Sequence, residues 1–227
     1  AAALIRRAAQ ISLEEVLMKV FWLGLLTPFV GCKGGGEGEP ALVEGTVSTV
    51  DQDAAVASRV AYGFHLDGKA LFTLATPSLA SCADVVEYFN HGDSDDPYDP
   101  QDVLVGGFCH LTLTVQDYDG SELSLTEADS SALWALYCPM GEGSFEVSEQ
   151  QGYEDYFWTG KTWSGGPDAH TTTVSPDGDN YGLILSMANF SGAYIDAVGA
   201  VTAAGLVEGA ITAMSCPELY QTPAFPK

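Results

Sequence analysis

Positive charge is the scarcest thing in this 227-residue chain: 8 Lys and Arg stand against 31 Asp and Glu, a formal charge of -23 at pH 7. Such a surface repels nucleic-acid phosphates and favours divalent cations and cationic partners, so a nucleic-acid partner is excluded at the outset. A spanning helix is missing too. The apolar run from Val20 to Gly31 falls well short of the roughly 20 residues needed to cross a hydrocarbon core, and Pro28 interrupts it. Catalytic signatures are also lacking: there is no G-x-S-x-G elbow and no H-E-x-x-H metal motif, and His65, His91, His110 and His170 are scattered along the chain. No two cysteines fall at the C-x-x-C spacing of zinc sites.

What is present is an ordinary apolar content, 46% of residues, with many Gly, Ser, Thr, Val and Tyr. That composition folds, so the acidity does not signal disorder. Three parts follow from the order of the chain: an upstream extension and export signal over 1–31, a cysteine and tether over 32–40, and one domain over 41–227. The last part is long enough for a sizeable core, and no second linker divides it.

The signal reads from Met18, the expected start, through a short charged region at Lys19 and an apolar h-region of the length secretory signals use. It ends in Phe29-Val30-Gly31-Cys32, a small residue directly before a cysteine. This stretch resembles the lipobox of a bacterial lipoprotein precursor, with Phe29 where leucine is usual. The resemblance implies cleavage before Cys32, a diacylglyceryl group on its sulfur and an acylated new amino terminus. Several acyl chains at about 0.8 kcal/mol per buried methylene anchor firmly. It also implies an exported, envelope location, and Lys33 in place of aspartate favours the outer membrane. After the cysteine, Lys33 to Pro40 carries four glycines and no apolar side chain to bury, the composition of a flexible tether.

Export fits the other cysteines. Cys82, Cys109, Cys138 and Cys216 are an even set in what would be an oxidising compartment, and two disulfides are expected. Four cysteines allow three pairings, of which Cys82 with Cys109 and Cys138 with Cys216 is preferred, each joining partners flanked by similar elements.

The pattern of short β-rich runs broken by Gly, Asp and Pro predicts an all-β fold, an antiparallel sandwich or barrel-like domain with one short helix. Ala57 to Leu66 and Ala70 to Ala75 flank Asp67-Gly68-Lys69, a strong hairpin signal. Cys82 to Asn90 places Val85, Val86 and Phe89 at helical spacing behind Ser81 as an N-cap. Ala132 to Tyr137 is ambiguous between strand and helix, and Ala193 to Ala213 is expected to form a final hairpin turning near Ala203-Ala204-Gly205.

Two stretches could bind something. The acidic loop around Asp93, Asp95, Asp96 and Asp99 concentrates oxygen ligands of the kind Ca2+ prefers, and Asp117 to Gly120 and Asp177 to Asn180 share the flavour. The competing reading is that Asp, Asn and Gly make turns. The aromatic stretch bearing Tyr153, Tyr156, Trp158 and Trp163 suits a sugar-stacking or protein-docking surface, or else fills the core.

Two functions of different class stand on these readings. One is an envelope lipoprotein with a non-catalytic binding or structural β domain, partnered by the membrane through its lipid and by an envelope protein or glycan. The other is an anchored hydrolase or glycan-binding module working on an envelope or extracellular polymer. If the acidic loop is a calcium site, the melting temperature rises in calcium relative to chelator; equal melting temperatures dispose of the site.

Overall fold

The structure is a computed structural model. It describes residues 43–76, 79–91, 108–140, 145–150, 153–158, 161–195 and 199–227, all within one compact unit. In chain order the strands are β1 (Val43–Ser48), β2 (Asp53–Ser58), β3 (Val60–Leu66), β4 (Lys69–Ala75), β5 (His110–Gln116), β6 (Leu123–Thr126), β7 (Ala132–Met140), β8 (Phe145–Gln150), β9 (Tyr153–Trp158), β10 (Lys161–Asp177), β11 (Asn180–Tyr194) and β12 (Val201–Ser215). One helix, α1 (Cys82–His91), lies between β4 and β5, and a 3-10 turn, Pro217–Gln221, follows β12.

Seven strands close a barrel in the order β11, β10, β7, β5, β4, β3, β12 and back to β11. Every pairing in that ring is antiparallel except β12 with β3. Closure matters because a closed sheet has no free edge to recruit another chain. It is achieved by dividing one edge of β12. Ala204 to Gly209 pair with β1, and Ala213 to Ser215 pair with β3. The β1–β2 hairpin continues to the far side, where Ala55 bridges Phe108 and its carbonyl accepts from the Cys109 N–H at 2.7 Å.

Local sequence explains the elements that were expected. Leu66 pairs with Lys69 across a two-residue turn in which Asp67 and Gly68 have φ of 50° and 79°, the conformation that Asp-Gly favours in tight hairpins. At α1, the Ser81 hydroxyl accepts from the Asp84 N–H at 3.2 Å while the Asp84 carboxylate accepts from the Ser81 N–H at 2.8 Å. This reciprocal cap satisfies two otherwise orphaned donors.

The interior is filled. Trp163, Phe72, Phe190, Tyr118, Leu113, Leu136 and Leu183 are fully buried. Trp163 lies over a cross-strand pair of glycines, Gly165 on β10 opposite Gly192 on β11. A Cβ on Gly165 would stand 2.7 Å from the indole, and one on Gly192 would stand 2.7 Å from it and 2.8 Å from the Gly165 Cα. The indole N–H donates to the Val201 carbonyl at 3.0 Å, and its ring meets Phe190 edge-on at 6.4 Å. The reading of Trp163 as part of an exposed binding surface is therefore corrected: it is a core residue whose partner-side glycines make room for it.

Other expectations are also revised. The run Ala57 to Leu66 is two strands, β2 and β3, broken at Arg59. Ala132 to Tyr137 is strand, within β7. The last hairpin does not turn near Ala203-Ala204-Gly205, which lies inside β12. Instead β11 runs on to Tyr194, because a bulge at Asn189, with φ of 53°, restores Phe190 to the inward face.

The two disulfides form, with pairing different from the preferred one. Cys109 joins Cys138, and Cys82 joins Cys216. Adjacency across the barrel sets this outcome. His110 is opposite Tyr137 on the β5–β7 ladder, which brings the next residues outward, Cys109 and Cys138, together. Cys216 leaves β12 beside β3, where its N–H donates to the Gly63 carbonyl at 3.0 Å. There it meets the start of α1, which packs with Leu219 and Phe225 in a small apolar cluster.

Replacing Gly192 with alanine is expected to lower stability by about 1–3 kcal/mol through overpacking against the Ser164 carbonyl oxygen and Trp163. A urea midpoint equal to that of the parent chain contradicts the close approach.

Candidate functional site

The barrel wall opens between β7 and β6 along β10, where a proline interrupts the ladder. The β7–β10 ladder runs from Lys161 opposite Met140 to Gly165 opposite Leu136, and then stops. Two residues on stands Pro167, which has no N–H to give to β7. From Thr171 the same edge of β10 pairs with β6 instead. Between the two pairings lies a cleft of about 260 Å3, with Trp134 on one wall, Gly166, Pro167, Asp168 and His170 on another, and Glu127 and Ser191 at the rim.

His170 is buried in the cleft, only 8% exposed. Its Nδ1 is 3.3 Å from the Thr172 hydroxyl, which accepts from the Trp134 indole N–H at 3.0 Å. The indole can only donate, so Thr172 has its own proton to give to Nδ1, and this favours the tautomer with Nε2–H. Burial holds the imidazole below its usual range, while the carboxylates of Glu127 and Asp129 pull the other way. Asp129 is itself engaged, accepting from the Thr126 N–H at 2.7 Å and the Thr126 hydroxyl at 3.1 Å.

No family model, curated protein or solved structure matches this chain. The cleft must therefore be judged on its own chemistry. Exposed carboxylates beside a donor imidazole can accept from the hydroxyls or ammonium of a small polar ligand. A general acid–base pair needs hydrogen-bond reach, and among the described residues no hydrogen bond joins His170 to Glu127 or Asp168. Nor is it a preformed metal centre. Among the described residues, the one set of three His, Cys, Asp or Glu ligand atoms within 4.8 Å of one another lies elsewhere.

The residues singled out from sequence fare differently. Cys32 and the acidic loop with Asp93, Asp95, Asp96 and Asp99 lie outside the described residues. Tyr153, Tyr156 and Trp158 fall on β9, paired with β8 in a separate two-stranded sheet, and their side chains lie outside what the structure describes. In the two Asp-rich turns, Asp119 and Asn180 have their side-chain oxygens engaged within the fold. Asp119 accepts from the Ser121 N–H at 2.9 Å and the Ser121 hydroxyl at 2.6 Å, which keeps its carboxyl below the ordinary range. Asn180 accepts from the Ser215 N–H at 3.1 Å. The cleft itself was signalled by Gly166-Pro167 inside a strand, a pair that marks a break in a ladder.

His65 and His110 are held by partners within the core. His65 meets the Tyr181 hydroxyl at 2.9 Å through Nδ1 and the Tyr118 ring edge-on at 5.4 Å. Tyr118 is buried, and its hydroxyl is pushed up to about 12, by burial first and then by Tyr181 and Asp119. His110 is 3% exposed, 3.1 Å from the Thr73 hydroxyl through Nε2, with the Tyr88 and Phe89 rings of α1 against it at 4.8 and 5.8 Å. Among the described residues its Nδ1 has no hydrogen-bond partner.

Burial lowers His110 to about 4. The unfolded chain therefore binds this proton first as the pH falls, and stability is lost between the unfolded value of 6.5 and the folded value. The loss attributable to His110 over that window is about 3 kcal/mol at most. His110→Gln is expected to flatten the urea midpoint between pH 6.5 and pH 4.5 relative to the parent; parallel profiles contradict the assignment.

Proposed function

We propose that this chain is an exported cell-envelope lipoprotein, anchored through Cys32 and held off the membrane by residues 33–40, whose barrel is a non-catalytic binding or structural module. The observation that carries this reading is the pair of disulfides. Cross-links of this kind persist in oxidising, extracytoplasmic compartments and are rare where thiols are kept reduced. They agree with the export signal read from Met18 to Cys32, and that signal in turn sets Cys32 apart from the four cysteines that pair.

The packed interior supports the non-catalytic half of the proposal. A barrel filled by Trp163, Phe72, Phe190 and Tyr118 leaves its outer surface and the cleft at His170 for recognition. His65, His110 and His170 each have a polar partner within the fold. The membrane is the first partner, through lipid, and an envelope protein or glycan the second. Outer-membrane sorting is favoured by Lys33. Calcium at the acidic loop remains part of this reading, because the net charge of -23 favours a divalent cation near the surface.

A second reading has one observation in its favour. The cleft gathers His170, Glu127 and Asp168, which an anchored hydrolase acting on a glycan could use. Loss of a polymer-cleaving activity in both His170→Ala and Glu127→Gln would move the conclusion to that reading.

Metabolic labelling with an acyl-chain probe tests the anchor. The parent chain is expected to take up label and partition with membranes, and Cys32→Ser to do neither. Equal labelling of the two, or an unlabelled parent recovered as a soluble protein, rejects the lipoprotein assignment.

A further inference from the structure

The two disulfides occupy different surroundings. Cys109 and Cys138 are 1% and 0% exposed, sealed beneath the β5–β7 ladder. Cys82 is partly exposed at the first turn of α1, and beside it runs a cleft of about 590 Å3 walled by Ser81, Ala83, Val86 and Asn90. A soluble thiol can reach Cys82 and cannot reach the other pair without opening the barrel.

The third group at this cleft is Glu218, in the turn after Cys216. Its carboxylate Oε2 stands 3.4 Å from the Cys82 sulfur. The sulfurs of Cys82 and Cys216 and a Glu218 carboxylate oxygen all lie within 4.8 Å of one another. Nothing but packing is needed to keep them there. The start of α1 and the turn carrying Glu218 are held by Val85, Leu79, Leu219 and Phe225 in the apolar cluster with Tyr62 and Leu71, and by the reciprocal Ser81–Asp84 cap. The Cα atoms of the two cysteines are 5.8 Å apart, close enough for both sulfurs to clasp one ion.

From these observations we infer that the reduced form of the Cys82–Cys216 pair, with Glu218, is a site for a borderline-soft divalent ion of the zinc class. Two thiolates and a carboxylate are a ligand set that zinc accepts, with water completing four-coordination. The chemistry balances with a dithiol as reductant. Its thiolate attacks the exposed Cys82 sulfur, the S–S bond breaks and Cys216 leaves as thiolate. The second thiol of the reductant then attacks the mixed disulfide, which leaves two protein thiols and an oxidised reductant. Binding of the ion releases both thiol protons. Glu218 gives this step its direction. Beside a carboxylate, two thiolates without a cation repel, whereas a divalent ion offsets two of the three negative charges and relieves that repulsion.

The site goes beyond the proposed function and depends on neither the anchor nor the barrel's ligand. Its test uses the full chain carrying Cys32→Ser, so that only the four paired cysteines are present. Under mild dithiol treatment two thiols per chain are expected, mapped to Cys82 and Cys216. Anaerobic titration with Co2+ then gives a sulfur-to-cobalt charge-transfer band that saturates at one ion per chain and is removed by Zn2+. The oxidised chain gives no such band, so oxygen-only binding at the acidic loop is distinguished from the thiolate site. Adding Cys216→Ser abolishes the band, and adding Glu218→Gln leaves the thiol count unchanged while weakening cobalt binding by about tenfold or more. Two free thiols without a charge-transfer band overturn the inference. So does a band that Glu218→Gln leaves at full affinity, or release of Cys109 and Cys138 before Cys82 and Cys216.

Discussion

Everything in this fold depends on β12 finding three partners. One edge of it lies along β11 for most of its length, and the other is shared by β1 and β3. Without that division the ring would stop at β3 and leave two open edges, the condition under which strands recruit other chains. Small residues make the division possible. Gly45 on β1 and Gly205 on β12 sit where an added Cβ would collide with the backbone of Leu206 and of Thr46, so the two strands can approach only because both are glycine. The parallel contact of β12 with β3 then delivers Cys216 to α1, and the outer disulfide locks the last element of the chain to the helix that interrupts the sheet.

A second constraint follows from the first. Once the barrel is closed, its interior must be filled at the density of a crystal, since voids and overpacking both cost stability. Trp163 fills the region beneath β10 and β11, and Gly165 and Gly192 accommodate it. Pro167, two residues further, ends the pairing with β7 and opens the wall. Filling and opening are thus consequences of one short segment, Thr162 to Pro167, and the cleft that carries His170 is placed by a missing backbone donor.

The parts of this account that were legible in the sequence are those decided locally. Asp67-Gly68 announced its hairpin, and Ser81 with the apolar spacing of Val85, Val86 and Phe89 announced α1. The recurrent short strands announced an all-β barrel or sandwich. What was not legible is decided by neighbours far apart in the chain. The cysteine pairing follows from β5 lying beside β7 and from β12 ending beside β3, neither of which flanking composition encodes. The turn between β11 and β12 was misplaced because the Ala-Gly-rich sequence lacks punctuation, and the bulge at Asn189 carries the inward alternation past the point where the pattern seemed to end. Trp163 could not be assigned from aromatic content. The glycine two residues on was the available signal that a large ring needed space. Of the candidate site, Gly166-Pro167 within a strand was readable as a break, whereas the approach of Glu127 to His170 required the register of β6 on β10.

The export reading and the fold meet in the cysteines, and their connectivity can be measured directly. Non-reducing peptide mapping by mass spectrometry of the protein isolated from its native cells with thiols blocked should recover Cys82 linked to Cys216 and Cys109 linked to Cys138, with Cys32 in neither bridge. Cys82 linked to Cys109 and Cys138 to Cys216 would contradict the strand adjacency of the barrel, and free thiols at all four positions would contradict the oxidising compartment proposed for it.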